Sequence, residues 1–579
     1  MNYLYIITVL ILFILACLLK KTKNKIDIIP TVILIFILIM VYQVLICWFF
    51  TLLSIKITLL SLSISNIFIS IIIIFILIKK GIQKYSITIK DSIATLLLLF
   101  IMIGITYKDV GMVENIRYYS TDASIHYIAA KEFYQNEKML FQTENTETFK
   151  QMMPMAYVNI GILFKALAPI IGQMNFYRIF VLFDIVIFYF SGLLFYFILK
   201  KKENKKSYFI LAIIISIIYL CGYPLNNLLA GFFYLGIGCL IINSILWLFS
   251  LEKEEINKTT KRIILLLLNT GLIFSYALFA PAVYLSIFIY QIYYQYRTSK
   301  KIVIKEIIID TIIELIIPGI LGVIFLLFPN VQNIKCISID GYIYKDLFIN
   351  IFAFIPFVIY FCFKNIKEKK INYFIFFLLT LISYMIILYI GTKLNIVSEY
   401  YFYKNAYPLW SILLITTFFG IICFIKKYRR DKKTIILYIA IYLFLFIIIT
   451  TYITYLTPAL NIYKKNEIFI NQKENITNDD INMLNYIYEN NLLNKNENNV
   501  LFICEYMQEA WIRAIFGYRN RLPLEKVNHI QYIEKWNKGE IQYLVCFEES
   551  NMYRKLKDYC KIEEEPIFET KNLKLYKKY

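Results

Sequence analysis

The sequence predicts a polytopic α-helical membrane protein of about 14 spans with a small C-terminal extracytoplasmic α/β domain. Three observations predict it. Hydrophobic residues make up 59% of the 579-residue chain and charged residues only 17%, against roughly 45–50% and 25% in soluble domains. The mean hydropathy is +0.62. Apolar runs long enough to cross a bilayer core, about 20 residues each, recur from one end to residue 456, and the composition then turns to Asn, Glu and Lys. The formal net charge of +21 would by itself fit a polyanion-binding protein; where the charge sits decides against that.

Read between charged breaks, the spans fall at 3–19, 27–52, 57–78, 91–106, 176–199, 207–222, 227–250, 262–278, 280–297, 306–328, 347–364, 371–391, 406–425 and 434–456. The first lacks a basic leader and a small-residue cleavage site, so it reads as a retained span rather than a signal peptide. A further run, 156–171, contains Lys165 and Pro169. Alternate loops, 20–25, 79–90, 200–206, 253–262, 297–305, 364–370 and 426–433, hold 31 of the 43 Lys and Arg residues before position 457. The positive-inside rule assigns these loops to the cytoplasm. Both termini are then extracytoplasmic in a multi-pass protein of the cell membrane, provided that 156–171 does not cross or another span is miscounted; 156–171 is therefore read as a re-entrant or juxtamembrane helix. The 18 acidic and 18 basic residues of the tail cancel. The net charge is thus an orientation signal, and no nucleic-acid partner is implied.

The chain divides into N-terminal transmembrane helices, 1–90, a transmembrane core, 91–456, which includes the outside loop 107–155, and the tail, 457–579. In the tail, Asn478-Asp479-Asp480 can open a helix to about 491 with Ile481, Leu484 and Ile487 on one face. Val500–Cys504 and Tyr543–Phe547 read as short buried strands, Glu505–Ile515 as a helix between them, and the segments around Lys571-Asn572 as a terminal hairpin. The ten cysteines show no CxxC or Cys/His cluster, and only two histidines exist, His126 and His529. No disulfide framework or zinc site is indicated.

Ionisable residues near spans are costly and mark function. In the loop 107–155, Lys108, Arg117, Asp122, His126 and Tyr127 are the candidates. Asp122 and His126 are four apart and share one face of a helix. One reading makes Asp122 a base near a membrane-facing cleft, with His126 and Tyr127 on the substrate. The plainer alternative makes Asp122 a helix cap and His126 an interfacial residue. On the same side, Glu399, Tyr400, Tyr401 and Lys404 enter the span 406–425. An ammonium there suits a lipid phosphate, and the tyrosines suit the interface. The alternative is an aromatic belt with a snorkelling Lys. Asp184, inside the span 176–199, requires a partner, with Arg178 and Tyr177 nearby.

The string TDASIHYIAAKEFYQNEKML, followed by MPMAYVNIGILFKALAPIIGQMNFYRIF, resembles the first extracytoplasmic loop and following segment of GT-C superfamily glycosyltransferases. The resemblance covers roughly residues 91–250 and implies a membrane glycosyltransferase. Such an enzyme moves a sugar from a polyprenyl-phosphate donor to a cell-envelope glycan, lipid or protein acceptor on the outer face. It further implies that Asp122 is the catalytic base, with His126, Tyr127, Arg117, Lys108, Glu399, Tyr400, Tyr401 and Lys404 binding substrate. The commoner acidic pair is missing, since the next acids are Glu132 and Glu137. No metal ligand is therefore assigned; a divalent metal is compatible with the resemblance but not indicated, and no other cofactor is expected. A lipid-linked-glycan flippase, or a glycan polymerase or ligase outside GT-C, are the alternatives. Membrane lipids are partners under each.

Overall fold

Runs of Ile, Leu and Phe with few polar side chains leave the backbone N–H and C=O groups as the main polar atoms to satisfy. In a bilayer only a helix satisfies them within the segment. The computed structural model describes residues 1–20, 22, 24–109, 115–139, 153–200, 206–251, 256–299, 302–327, 351, 354–368, 371–428, 462–470, 475–493, 499–516 and 529–578. Among them, eleven helical stretches are long and apolar enough to cross a membrane, so the chain is a membrane-embedded helical protein with a small C-terminal sheet region.

In chain order the helices are α1 (Asn2–Leu18), α2 (Ile28–Leu52), α3 (Leu59–Lys80), α4 (Ile89–Asp109), α5 (Asp122–Asn136), α6 (Pro154–Ile171), α7 (Phe176–Lys200), α8 (Lys206–Cys221), α9 (Tyr223–Ala230), α10 (Phe233–Ser250), α11 (Lys258–Tyr276) and α12 (Ala280–Ser299). They continue with α13 (Ile304–Thr311), α14 (Ile317–Leu327), α15 (Ile355–Lys367), α16 (Tyr373–Lys393), α17 (Glu399–Lys404) and α18 (Ala406–Lys427). Most expected spans coincide with one of these to within a few residues. The span 227–250 is instead broken at Gly231, where the chain turns left-handed (φ 68°) and separates short α9 from α10. The span 306–328 contains a π-helical turn at Ile312–Ile316. The expected span 434–456 lies outside the described residues.

Burial separates inner from outer helices. α7, α10 and α18 are enclosed by their neighbours, whereas α3 and α4 present Phe68, Phe75 and Phe100 outward, as lipid-facing helices do. Residues of three basic loops meet at one end of the bundle. There Lys200 Nζ lies 2.7 Å from Asp91 and 3.3 Å from Asp27, and Gln83 donates to the Thr22 hydroxyl at 2.9 Å. Strands β1 (Ile26–Asp27) and β2 (Tyr85–Ser86) pair in parallel beside them. At the opposite end, Asn2 donates to the carbonyls of Lys165 and Ala166, Lys165 Nζ to that of Ile57 at 2.9 Å, and the Ile57 N–H to Glu137 O at 2.7 Å.

Helix α6 is long and apolar enough to span, yet its first turn lies beside the middle of its neighbours. The Met155 methyl is within van der Waals range of a Cβ placed on Gly271, a position that also faces Val41 and Ile241. From there α6 runs to the end marked by Asn2 and Ile57. It packs on α5 through Gly161, where a Cβ would meet Phe133 and the Ala130 carbonyl.

The tail begins with α19 (Ile462–Ile470) and α20 (Asn478–Glu489). The cap of α20 is Thr477, in a reciprocal pair with Asp480, one residue before the expected acidic opening. Strands β3 (Val500–Ile503), β4 (Tyr543–Phe547), β5 (Phe568–Glu569) and β6 (Leu573–Lys577) form a sheet in the order β3-β4-β6-β5. β3 and β4 are parallel, with α21 (Tyr506–Phe516) between them in sequence, and the remaining pairs are antiparallel. The sequence-predicted strands, helix and hairpin thus form one unit. Its β3 and β4 residues are nearly all buried, as parallel neighbours covered on both faces require.

Candidate functional site

The site is built where α5, the α9–α10 break and α17 converge, at the end of the bundle that carries Asn2 and Ile57. α5 begins at Asp122, with Thr121 before it at the cap position and no side-chain cap bond. Its start is tied down through Ser120, whose hydroxyl donates to Ala230 O at 2.8 Å and accepts the Asp122 N–H at 3.2 Å. The Tyr119 N–H donates to Leu229 O at 3.0 Å. Gly231 permits this approach. A Cβ on it would collide with Ala123, and its left-handed backbone disfavours other residues.

Beyond Gly231 the chain supplies Phe232 and Tyr234. Together with Tyr400 they surround Lys404, the last residue of α17, which is fully buried. Lys404 Nζ stands 3.5 Å from the Phe232 ring centroid, 4.8 Å from that of Tyr400 and 5.9 Å from that of Tyr234. An ammonium taken out of water needs such electron-rich faces or a counter-charge. Asp122 supplies the charge: it lies in electrostatic range of Lys404, Tyr234 and Tyr400. Burial raises the Asp122 carboxyl above the ordinary carboxylate value, and the Lys404 ammonium pulls it back down. His126 is buried on the same face, its ring 4.8 Å from that of Tyr234.

The structure therefore brings together Asp122, His126, Tyr400 and Lys404. Tyr401 packs on Tyr400, with ring centroids 5.0 Å apart, and Glu399 opens α17 exposed to solvent beneath a Ser398 cap. Tyr127 is not part of this group. It points to the other face of α5, fully buried among Phe164, Phe180 and Trp511. Arg117 is half-buried, next to the bridge between Ile116 and Ile476 of the tail. Lys108 falls in the last turn of α4, with its side chain outside the described residues. Asp184 finds Tyr118 rather than Arg178: the Tyr118 hydroxyl donates to its carboxylate at 3.3 Å. It also lines a small cavity of about 20 Å³ with Ser191, Tyr219 and Asn227, roughly the room one water needs.

The tail is bolted to the back of this site. Trp511 of α21 is fully buried and stacks on Tyr118 at 5.7 Å. Lys131 of α5 donates to the Ile515 carbonyl. Asn466 of α19 donates to Gly222 O at 2.9 Å and accepts from Asn226 at 2.9 Å. Sequence reasoning missed Phe232 and Tyr234. A glycine followed by three aromatics (Phe232-Phe233-Tyr234) was the available signal, hidden because the run read as the first turns of the span 227–250. Among the described residues no group of three or more His, Cys, Asp or Glu is arranged to hold a metal ion. Comparison with protein-family models, with curated proteins and with solved structures returns no match.

Proposed function

We propose that the chain is a membrane glycosyltransferase of GT-C type that transfers a sugar from a polyprenyl-phosphate donor to a cell-envelope acceptor on the outer face. The observation that carries this reading is a carboxylate and a fully buried ammonium, Asp122 and Lys404, drawn together from loop and span at one end of the bundle. Such a pair has the two chemistries that glycosyl transfer needs. The acceptor hydroxyl oxygen forms a bond to the anomeric carbon of the donor while the bond from that carbon to the phosphate oxygen breaks. The hydroxyl proton passes to the Asp122 carboxylate, and the bonding electrons leave with the polyprenyl phosphate. Burial makes Asp122 a stronger base than an exposed aspartate, which favours proton acceptance. Lys404 offsets the charge that develops on the leaving phosphate. His126 and Tyr400 pack in the same group of side chains and would orient substrate.

The topology belongs to the same proposal. About fourteen spans, with α6 re-entrant, put both termini, the site and the tail outside. The start of α6 at mid-bundle supports that count, and so does the meeting of three basic loops at the far end.

The test is sugar transfer from a labelled polyprenyl-phosphate sugar by the purified chain, comparing wild type with Asp122→Asn and Lys404→Gln. Loss of a positioned base removes typically 10²–10⁴-fold of rate, so the expected fall for Asp122→Asn is at least about a hundredfold. Full transfer by both variants overturns the assignment. Transbilayer movement of the lipid-linked sugar without transfer supports the flippase instead.

A further inference from the structure

An apolar cavity lies at the opposite, basic end of the bundle. There α1, α2, α3 and α11 do not close on one another but leave a cavity of about 360 Å³. Its walls are hydrocarbon, with Leu12, Ile35, Ile73 and Ile264 each contributed by a different helix. Water gains little there, since a buried water needs two to four polar partners and apolar cavities of this kind stay dry. The cavity has one charged end. Lys20 follows the last turn of α1 and Lys80 ends α3, both line the cavity, and both are exposed. The antiparallel bridge between Leu19 and Ile82 holds those two helix ends side by side. Thr260, in the first turn of α11, borders the same region.

We propose that this cavity binds one anionic phospholipid, an acyl chain in the slot between α1, α2, α3 and α11 and the headgroup phosphate against Lys20 and Lys80. The occupant follows from charge complementarity and from depth. The slot lies in the half of the bundle nearest the basic loops, so it receives a lipid of that leaflet. It opens at the end remote from Asp122 and Lys404, so it is not the donor site proposed above.

Native mass spectrometry of the purified full-length chain, released from micelles with phosphatidylglycerol or phosphatidylcholine, tests this. A juxtamembrane basic side chain contributes about fivefold to retention of an anionic lipid. Wild type should therefore hold a single phosphatidylglycerol about thirtyfold more tightly than phosphatidylcholine. In Lys20→Gln/Lys80→Gln that preference should disappear while the protein stays monodisperse, because both side chains are exposed. Ile73→Trp, which fills the slot, should lower retention of both lipids. Equal retention of the two lipids by wild type overturns the proposal. So does an unchanged preference in the double variant, or displacement of phosphatidylglycerol by an equimolar polyprenyl phosphate.

Discussion

Asp122→Asn should expose how far Lys404 depends on its counter-charge. The substitution keeps side-chain shape and deletes only the charge. Lys404 is then left as a wholly buried ammonium held by the faces of Phe232, Tyr234 and Tyr400. Removing one partner of a pair buried on both sides costs about 3–5 kcal/mol. Asp122 is itself only partly buried, so water screens part of the attraction and the coupling between the two charges is about 1–3 kcal/mol; the net cost of Asp122→Asn alone is smaller, because the substitution also relieves the burial that raises the carboxyl. Lys404→Met removes the other charge and keeps an unbranched stem whose sulfur still packs on the rings. The double variant Asp122→Asn/Lys404→Met should therefore be more stable than the two single costs predict, by about 1–3 kcal/mol. Unfolding of all four proteins in the same micelles gives the cycle directly. Additivity within about 0.5 kcal/mol, the behaviour of independent sites, would refute the pairing. Activity must not follow stability: the double variant should regain its fold and stay inactive. A merely structural ion pair would instead let activity return with the fold.

Further outcomes follow from the same geometry. The raised Asp122 carboxyl should put the acid limb of activity above the pKa of about 3.9 of a free aspartate. Lys404→Gln, by removing the charge that lowers it, should move whatever activity remains to still higher pH; a pH–rate profile with an unmoved acid limb counts against the coupling. The stability term has the opposite sense. Because the folded value lies above the unfolded one, the native state is favoured by this group at low pH. That contribution is lost as pH rises through the raised value. Trp511→Ala should cost about 3–5 kcal/mol and, because the ring packs on Tyr127 of α5 as well as on Tyr118, should loosen α5 as well as the tail. Limited proteolysis would then cut both segments, and cleavage confined to the tail would contradict the clamp. Gly231→Val should abolish activity through its clash with Ala123 and its left-handed backbone, with α5 becoming protease-sensitive. Cysteines introduced at Glu399 and at Lys84, in a background without exposed thiols, should label from opposite sides of intact cells; labelling from one side would break the orientation.

Much of the helical layout was legible because a bilayer leaves few choices: runs of about 20 apolar residues become helices, and basic loops mark one end. The tail elements were legible for a different reason. Short runs such as Val500–Ile503 and Tyr543–Phe547 have no polar residue to spare for a solvent face, and Thr477 with Asp480 forms a local signal that needs no tertiary context. What the sequence hid depends on contacts between distant segments. Nothing local to Tyr127 tells that it faces Trp511 some 380 positions away, whereas His126, its neighbour, faces Tyr234. A one-residue step on a helix rotates a side chain by about 100°, enough to move it from the site to the core.

The candidate site shows the same limit from the other direction. Charge counting could assign Asp122 and Lys404 to one side of a membrane, but a side is a wide surface. What narrows it is the break at Gly231. Had α9 and α10 been one continuous helix, Phe232 and Tyr234 would have continued α9 rather than turning to face Lys404. The start of α5 would also have had no close-packed glycine to rest against. One backbone turn therefore does two jobs: it seats Ser120, two residues before the carboxylate, against Ala230, and it delivers the rings that make burial of the ammonium tolerable. Gly231 touches neither charge by a side chain of its own, yet both depend on it. For that reason the glycine variant should fail more completely than removal of either ring alone, since Phe232→Leu or Tyr234→Leu still leaves Lys404 the remaining faces and Asp122 its anchored turn.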